Sequence, residues 1–96
     1  MSNRKYRVLS LNQILKFEDD MKKQKVSEVA RKPSGFLGQY KKYGTFDNFK
    51  NNTVPNGKIN WQEKRNAFID RHLVQYEKNP TERRRLALIA WGFQPK

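Results

Sequence analysis

Cysteine is absent, histidine occurs once, and acids are few: nine Asp and Glu stand against 21 Lys and Arg in 96 residues. Without cysteine there is neither a disulfide framework nor a thiolate metal site. With one histidine besides, no His–Cys zinc site and no Cys–His nucleophile can be assembled. Glycine is scarce too, at five residues, and no GxxxxGK[ST] or GxGxxG phosphate loop occurs. The first three acids, Glu18, Asp19 and Asp20, are consecutive, so a helix would splay them about 100° apart instead of converging them on a metal ion. Enzyme activity, a metal and a cofactor are therefore not expected.

Long apolar runs are also missing. No stretch approaches the ~20 residues of a membrane span, and residues 1–10, MSNRKYRVLS, lack the apolar core of a signal peptide. These absences predict a soluble, intracellular (cytoplasmic) protein with no membrane partner. Leu, Ile, Val and Phe make up 22 of the 96 residues, just above the roughly 20% share below which a charged chain stays disordered. A small core can form and a large one cannot. The length suits one domain of ordinary size, so residues 1–96 are expected to form a single basic helical domain.

What the chain has is positive charge, a formal +12, with +7 in residues 1–50 and +5 in residues 51–96. A detachable basic tail does not account for a charge so evenly divided. Self-repulsion of this size weakens a compact state unless an anionic partner relieves it. The expected partner is nucleic acid, DNA or RNA, held through its phosphate backbone with low sequence specificity. The alternative is a protein-interaction module, an adaptor, inhibitor or assembly component, that binds an acidic protein.

Periodicity and punctuation predict a mainly α fold of three to four helices. Residues 1–9 are either a basic arm or a short strand, the Tyr6/Val8 alternation being too brief to decide. Leu11, Ile14, Leu15, Phe17 and Met21 recur at helical spacing, so one helix is expected from Ser10 or Asn12 to about Lys25. Residues 27–31 extend or restart it, and Pro33 disfavours helix at Lys32. Ser34 is a candidate cap for a short helix carrying Phe36, Leu37, Tyr40 and Tyr43, stopped by Gly44 and weakened by Gly38. Residues 51–59 read as a loop with a tight turn at Pro55-Asn56-Gly57. Asn60 and Glu63 have capping-box spacing for a helix from Trp61 to about Lys78. Asn79-Pro80-Thr81-Glu82 opens the last helix with Pro80 at its first position, and Gly92 ends it with Phe93 folding back on Leu88. The last two helices are expected to form an antiparallel hairpin around Trp61, Phe68, Ile69, Leu86, Ile89 and Phe93.

Several clusters are candidate contacts. Arg83, Arg84 and Arg85 fall at the positive end of the last helix's dipole, where each cation costs about 0.3–1 kcal/mol. Breaches of local stability rules concentrate at functional sites, and Arg forks fit phosphate. The plain alternative is that Glu82 and nearby acids neutralise a solvated end. On the long helix Lys64, Arg71 and Lys78 lie seven apart in one stripe, with Glu63, Asp70 and Glu77 in another about 100° away, which leaves the basic stripe open to an anion. Arg65 and His72 fall inside the apolar arc, as a snorkelling arginine and a hydrogen-bonded core histidine. Arg4, Lys5 and Arg7 add cations near the start.

Residues 31–50 interleave five aromatics with five basic groups against one Asp. Lys41 and Lys42 suit phosphate contact, while Tyr40 and Tyr43 either stack on the bases of a single strand or fill the core. Leu88 and Trp91 point away from the Leu86/Ile89 face. They are either buried or an exposed protein-binding or dimer patch.

Overall fold

In the computed structural model, which describes residues 6–55 and 57–95, a side-chain cap opens three of the six α-helices of the described residues. The order is α1 (Leu11–Leu15), α2 (Glu18–Gln24), α3 (Glu28–Arg31), α4 (Phe36–Tyr43), a 3-10 turn at Phe46–Asn48, α5 (Trp61–Lys78) and α6 (Glu82–Ala90). Among the described residues there is no strand. Residues 6–10 carry none, and one isolated antiparallel bridge, Thr53 to Asn60, closes the loop before α5.

Among the described residues the expected three to four helices become five of at least five residues plus the single turn α3, because the predicted helix to Lys25 breaks at Lys16–Phe17. Ser10 and Gln13 form a capping box around the five-residue α1. The Phe17 amide then folds back to the Ile14 carbonyl at 3.0 Å. Glu18, Asp19 and Asp20 open α2, and Lys22 and Lys23 close it, each sign at the dipole end that favours it. The two pieces still bury Ile14 and Met21 fully, the same face that suggested one continuous helix.

α2 ends with the Lys25 amide on Lys22 O and the Val26 amide on Met21 O. Lys25 sits in the left-handed region (φ 55°), where glycine is usual. α3 stops as expected, Lys32 being extended before Pro33. The next cap is Gly35 and not Ser34. A Cβ on Gly35 would sit 2.1 Å from Val29 O, and one on Gly38 2.3 Å from Lys32 O. Gly38 is thus required by the close approach of the α3–α4 turn, whatever it costs in helix propensity.

α5 opens on the Asn60–Glu63 capping box. Thr81 caps α6 by accepting the Arg84 amide at 3.2 Å, so Pro80 lies before the cap and not at the first helical position. At the far end Gly92 (φ 78°) and Phe93 donate to Ile89 O at 2.8 Å and Leu88 O at 3.0 Å, a Schellman closure.

The core is aromatic, as a chain short of aliphatics requires. Phe36, fully buried, meets the rings of Tyr40, Phe46, Phe49, Trp61 and Trp91 at centroid distances of 5.0 to 6.2 Å. Ile14, Met21, Leu86 and Ile89 pack around them. The radius of gyration, 12.6 Å, is close to the ~12–13 Å of a compact chain this long. Trp61, Arg65 and Phe68 on the first half of α5 meet Trp91 at the end of α6.

Arg65 is the least expected core residue. It is fully buried, not snorkelling. Its guanidinium donates to Trp91 O (2.7 Å), Gly92 O (3.1 Å), Arg7 O (2.8 Å) and Tyr6 O (3.0 Å), and it lies 5.5 Å from the Phe46 ring centroid. One side chain of α5 thereby ties the early segment to the turn after α6.

Candidate nucleic-acid interface

The helix geometry sorts the basic residues by what they already hold. Lys64, Arg71 and Lys78 are exposed along α5, and none of the three makes an ion pair with another described residue. Two of the three acids of the neighbouring stripe are engaged elsewhere, and the third, Glu77, is exposed and makes no ion pair with another described residue. Glu63 closes the capping box, and Asp70 accepts the Tyr6 hydroxyl.

The α6 triplet differs. Arg83 donates to the carbonyl of Gln24, the last residue of α2. Arg84 donates to Asn79 O at 2.7 Å, the carbonyl that follows α5. Arg85 pairs with Glu82 at 3.0 Å and lies 5.3 Å from the Phe17 ring centroid. Two of these three arginines therefore complement the negative ends of other helices. That offsets the repulsion at the start of their own helix.

Lys41 is paired too, with Glu18 at 2.9 Å, and this hydrogen bond leads the causes that hold the Glu18 carboxyl below its ordinary pKa. Lys42 is exposed, its ammonium 5.4 Å from the Tyr43 centroid. Tyr40 is buried and donates to Leu9 O at 2.7 Å, which takes it out of base stacking. Tyr43 is half-buried and stacks on Phe49, centroids 6.0 Å apart. The exposed Leu88/Trp91 patch is likewise corrected, since Leu88 and Trp91 are 0% and 7% exposed, Trp91 against Phe36 and Phe68. Arg7 is exposed; Arg4 and Lys5 lie outside the described residues.

Sequence reasoning missed two features. Arg83 brings the end of α2, with exposed Lys22, Lys23 and Lys25, to the start of α6; the run KKQK was the available signal. On α5, His72 stacks on Phe68 at 3.9 Å and 20°, and burial first, then the Arg71 charge, lowers its pKa. The four-residue spacing of 68 and 72 was the signal there.

Among the described residues no group of three His, Asp or Glu side chains converges as a metal site would, and no helix is long and apolar enough to cross a membrane. A groove of about 650 Å³ lies between residues 7–9, the end of α5 and residues 93–95, walled by Val8, Leu9, Leu73, Tyr76, Phe93 and Pro95. Compared with protein-family models, curated proteins and solved structures, the chain matches none.

Proposed function

We propose that the protein binds nucleic acid non-enzymatically, through the phosphate backbone and with low sequence specificity. The α5 stripe Lys64, Arg71 and Lys78 is its central contact, supported by Lys42, Arg7 and the α2 lysines. In this view α5 and α6 act as one antiparallel hairpin, α6 bracing the stripe from behind. The observation that carries the proposal is the asymmetry of pairing. Glu18, Asp47, Glu63, Asp70 and Glu82 have partners within the chain, while the three α5 cations, with Glu77 the one uncommitted acid of the neighbouring stripe, face solvent and make no ion pair with another described residue. In a chain of net charge +12, that surplus attracts a polyanion.

The second reading is an acidic protein partner, favoured by the largely apolar groove beside Tyr76 and Phe93. Fluorescence anisotropy with a duplex and a single strand, titrated with salt, separates the two. Nucleic-acid binding should weaken steeply with salt, because each engaged phosphate on duplex contributes about −0.9 to the log–log slope. No binding at low salt, about 50 mM, would overturn the proposal in favour of the protein partner.

A further inference from the structure

Four rings run in a stack from the core to the surface of α5. Phe36 faces Trp91 at 5.0 Å and 27°, Trp91 faces Phe68 at 4.6 Å and 20°, and Phe68 faces His72 at 3.9 Å and 20°. His72 and Trp91 are both nearly parallel to Phe68 and are not in ring contact with each other. They must therefore lie on its opposite faces, because two rings side by side over one face would collide. His72 ends the stack. It is half-buried, and among the described residues no further ring covers its far face.

We propose that His72 is a base-stacking platform that makes the α5 surface selective for single-stranded nucleic acid. The proposal rests on the nucleic-acid reading above and adds to it which form is preferred. A base on the outer imidazole face would continue the stack by one ring, a contact every base can make because each has a π face. The platform is pre-organised, since Trp91 and Phe36 behind Phe68 are buried and little side-chain freedom is left to lose on binding. Cations adjoin it as backbone contacts require. Lys64 and Arg71 lie within about 100° of His72 around α5, and both are exposed. Tyr43, a half-buried ring stacked on buried Phe49, already has the Lys42 ammonium near it. Among the described residues His72 has no such neighbour, and a duplex, whose bases are already stacked, cannot offer it one.

The test uses the whole chain with a short oligodeoxyadenylate and an abasic strand of the same length, which keeps the phosphates and removes the bases. Wild type should bind the adenylate about tenfold or more tightly than the abasic strand. His72→Ala should erase that preference and His72→Phe should retain it. A second readout needs no variant: the chain has one histidine, so its imidazole proton resonances are assigned by inspection in untagged protein. They should move upfield on adding adenylate and stay in place with the abasic strand. Equal binding of the two strands with unmoved imidazole resonances would overturn the stacking platform and leave phosphate binding standing. Failure of both strands to bind at low salt would overturn phosphate binding and the platform together.

Discussion

Two arginine-rich and lysine-rich regions look alike in the sequence and differ in the folded molecule. The α6 triplet at 83–85 is the denser in charge, yet Arg83 and Arg84 donate to carbonyls at the ends of α2 and α5, and Arg85 pairs with Glu82. The α5 stripe is sparser, yet Lys64, Arg71 and Lys78 meet no described acid. Charge density along a chain therefore does not measure what a ligand can use. The last carbonyls of a helix compete for cations as phosphates do, and a small helical protein has many such ends.

Arg65 marks the extreme of the consumed class, and its loss should have the largest effect. Arg65→Met would take the guanidinium donor from the backbone carbonyls of residues 6, 7 and 91, that of Gly92 keeping the Leu9 amide, at a cost of about 4 kcal/mol or more. Against a typical domain stability of ~5–15 kcal/mol, denaturant unfolding should show a barely folded protein. Near-wild-type stability would mean that those carbonyls are readily re-solvated.

A smaller effect separates the two basic regions directly. R83Q/R84Q removes two helix-end cations and should lower stability by about 1–2 kcal/mol. K64Q/R71Q/K78Q removes three solvated ones and should leave it within about 0.5 kcal/mol. Equal losses in chemical denaturation would erase the distinction. Lys25→Gly sharpens it from the other side, because Lys25 occupies a left-handed position next to the Gln24 carbonyl that Arg83 holds. Relief of that backbone strain should raise stability by up to about 1 kcal/mol, and a loss instead would show that the lysine side chain matters more than its conformation.

The smallest effect is in the pH profile. His72 has a folded-state pKa below 6.5, so the native state binds fewer protons there than the unfolded chain. Its contribution is complete above about pH 6.5 and is lost as pH falls through the lowered value. Glu18, held below 4.5 mainly by Lys41, adds a second loss beginning lower. The melting temperature should decline in two acid steps, the first absent in His72→Phe and the second in Lys41→Met. A melting temperature that rose between pH 7 and about pH 5 would contradict the His72 sign, and one that rose as pH fell below about 4.5 would contradict the Glu18 sign.

The comparison also shows what was legible before folding. The bounds of α5 and the Gly92 stop of α6 are written in residues within a turn of each helix end, so local capping rules recover them. The break inside the first predicted helix was legible as well, in the order EDD then KK, but the apolar spacing of Ile14, Phe17 and Met21 outweighed it. Gly38 read as a weakness because the backbone that crowds it, at Lys32 and Pro33, approaches only through the α3–α4 turn. Arg65 and Arg83 were misjudged for the same reason, their acceptors lying 26 to 59 positions away. The candidate stripe on α5 was found because helical period alone sets it. That Glu63 is taken by the capping box was legible too, whereas the engagement of Asp70 came only with the packing that brings Tyr6 to it from 64 positions away.

The central claim is that the α5 stripe, and not the α6 triplet, faces the polyanion, and the salt dependence of binding measures it most directly. Anisotropy titrations of one oligonucleotide against wild type, K64Q/R71Q/K78Q and R83Q/R84Q should show the α5 variant losing about 2–3 units of the log–log slope and the α6 variant losing less than about 1. A full slope in the α5 variant, with the loss in the α6 variant, would contradict the account.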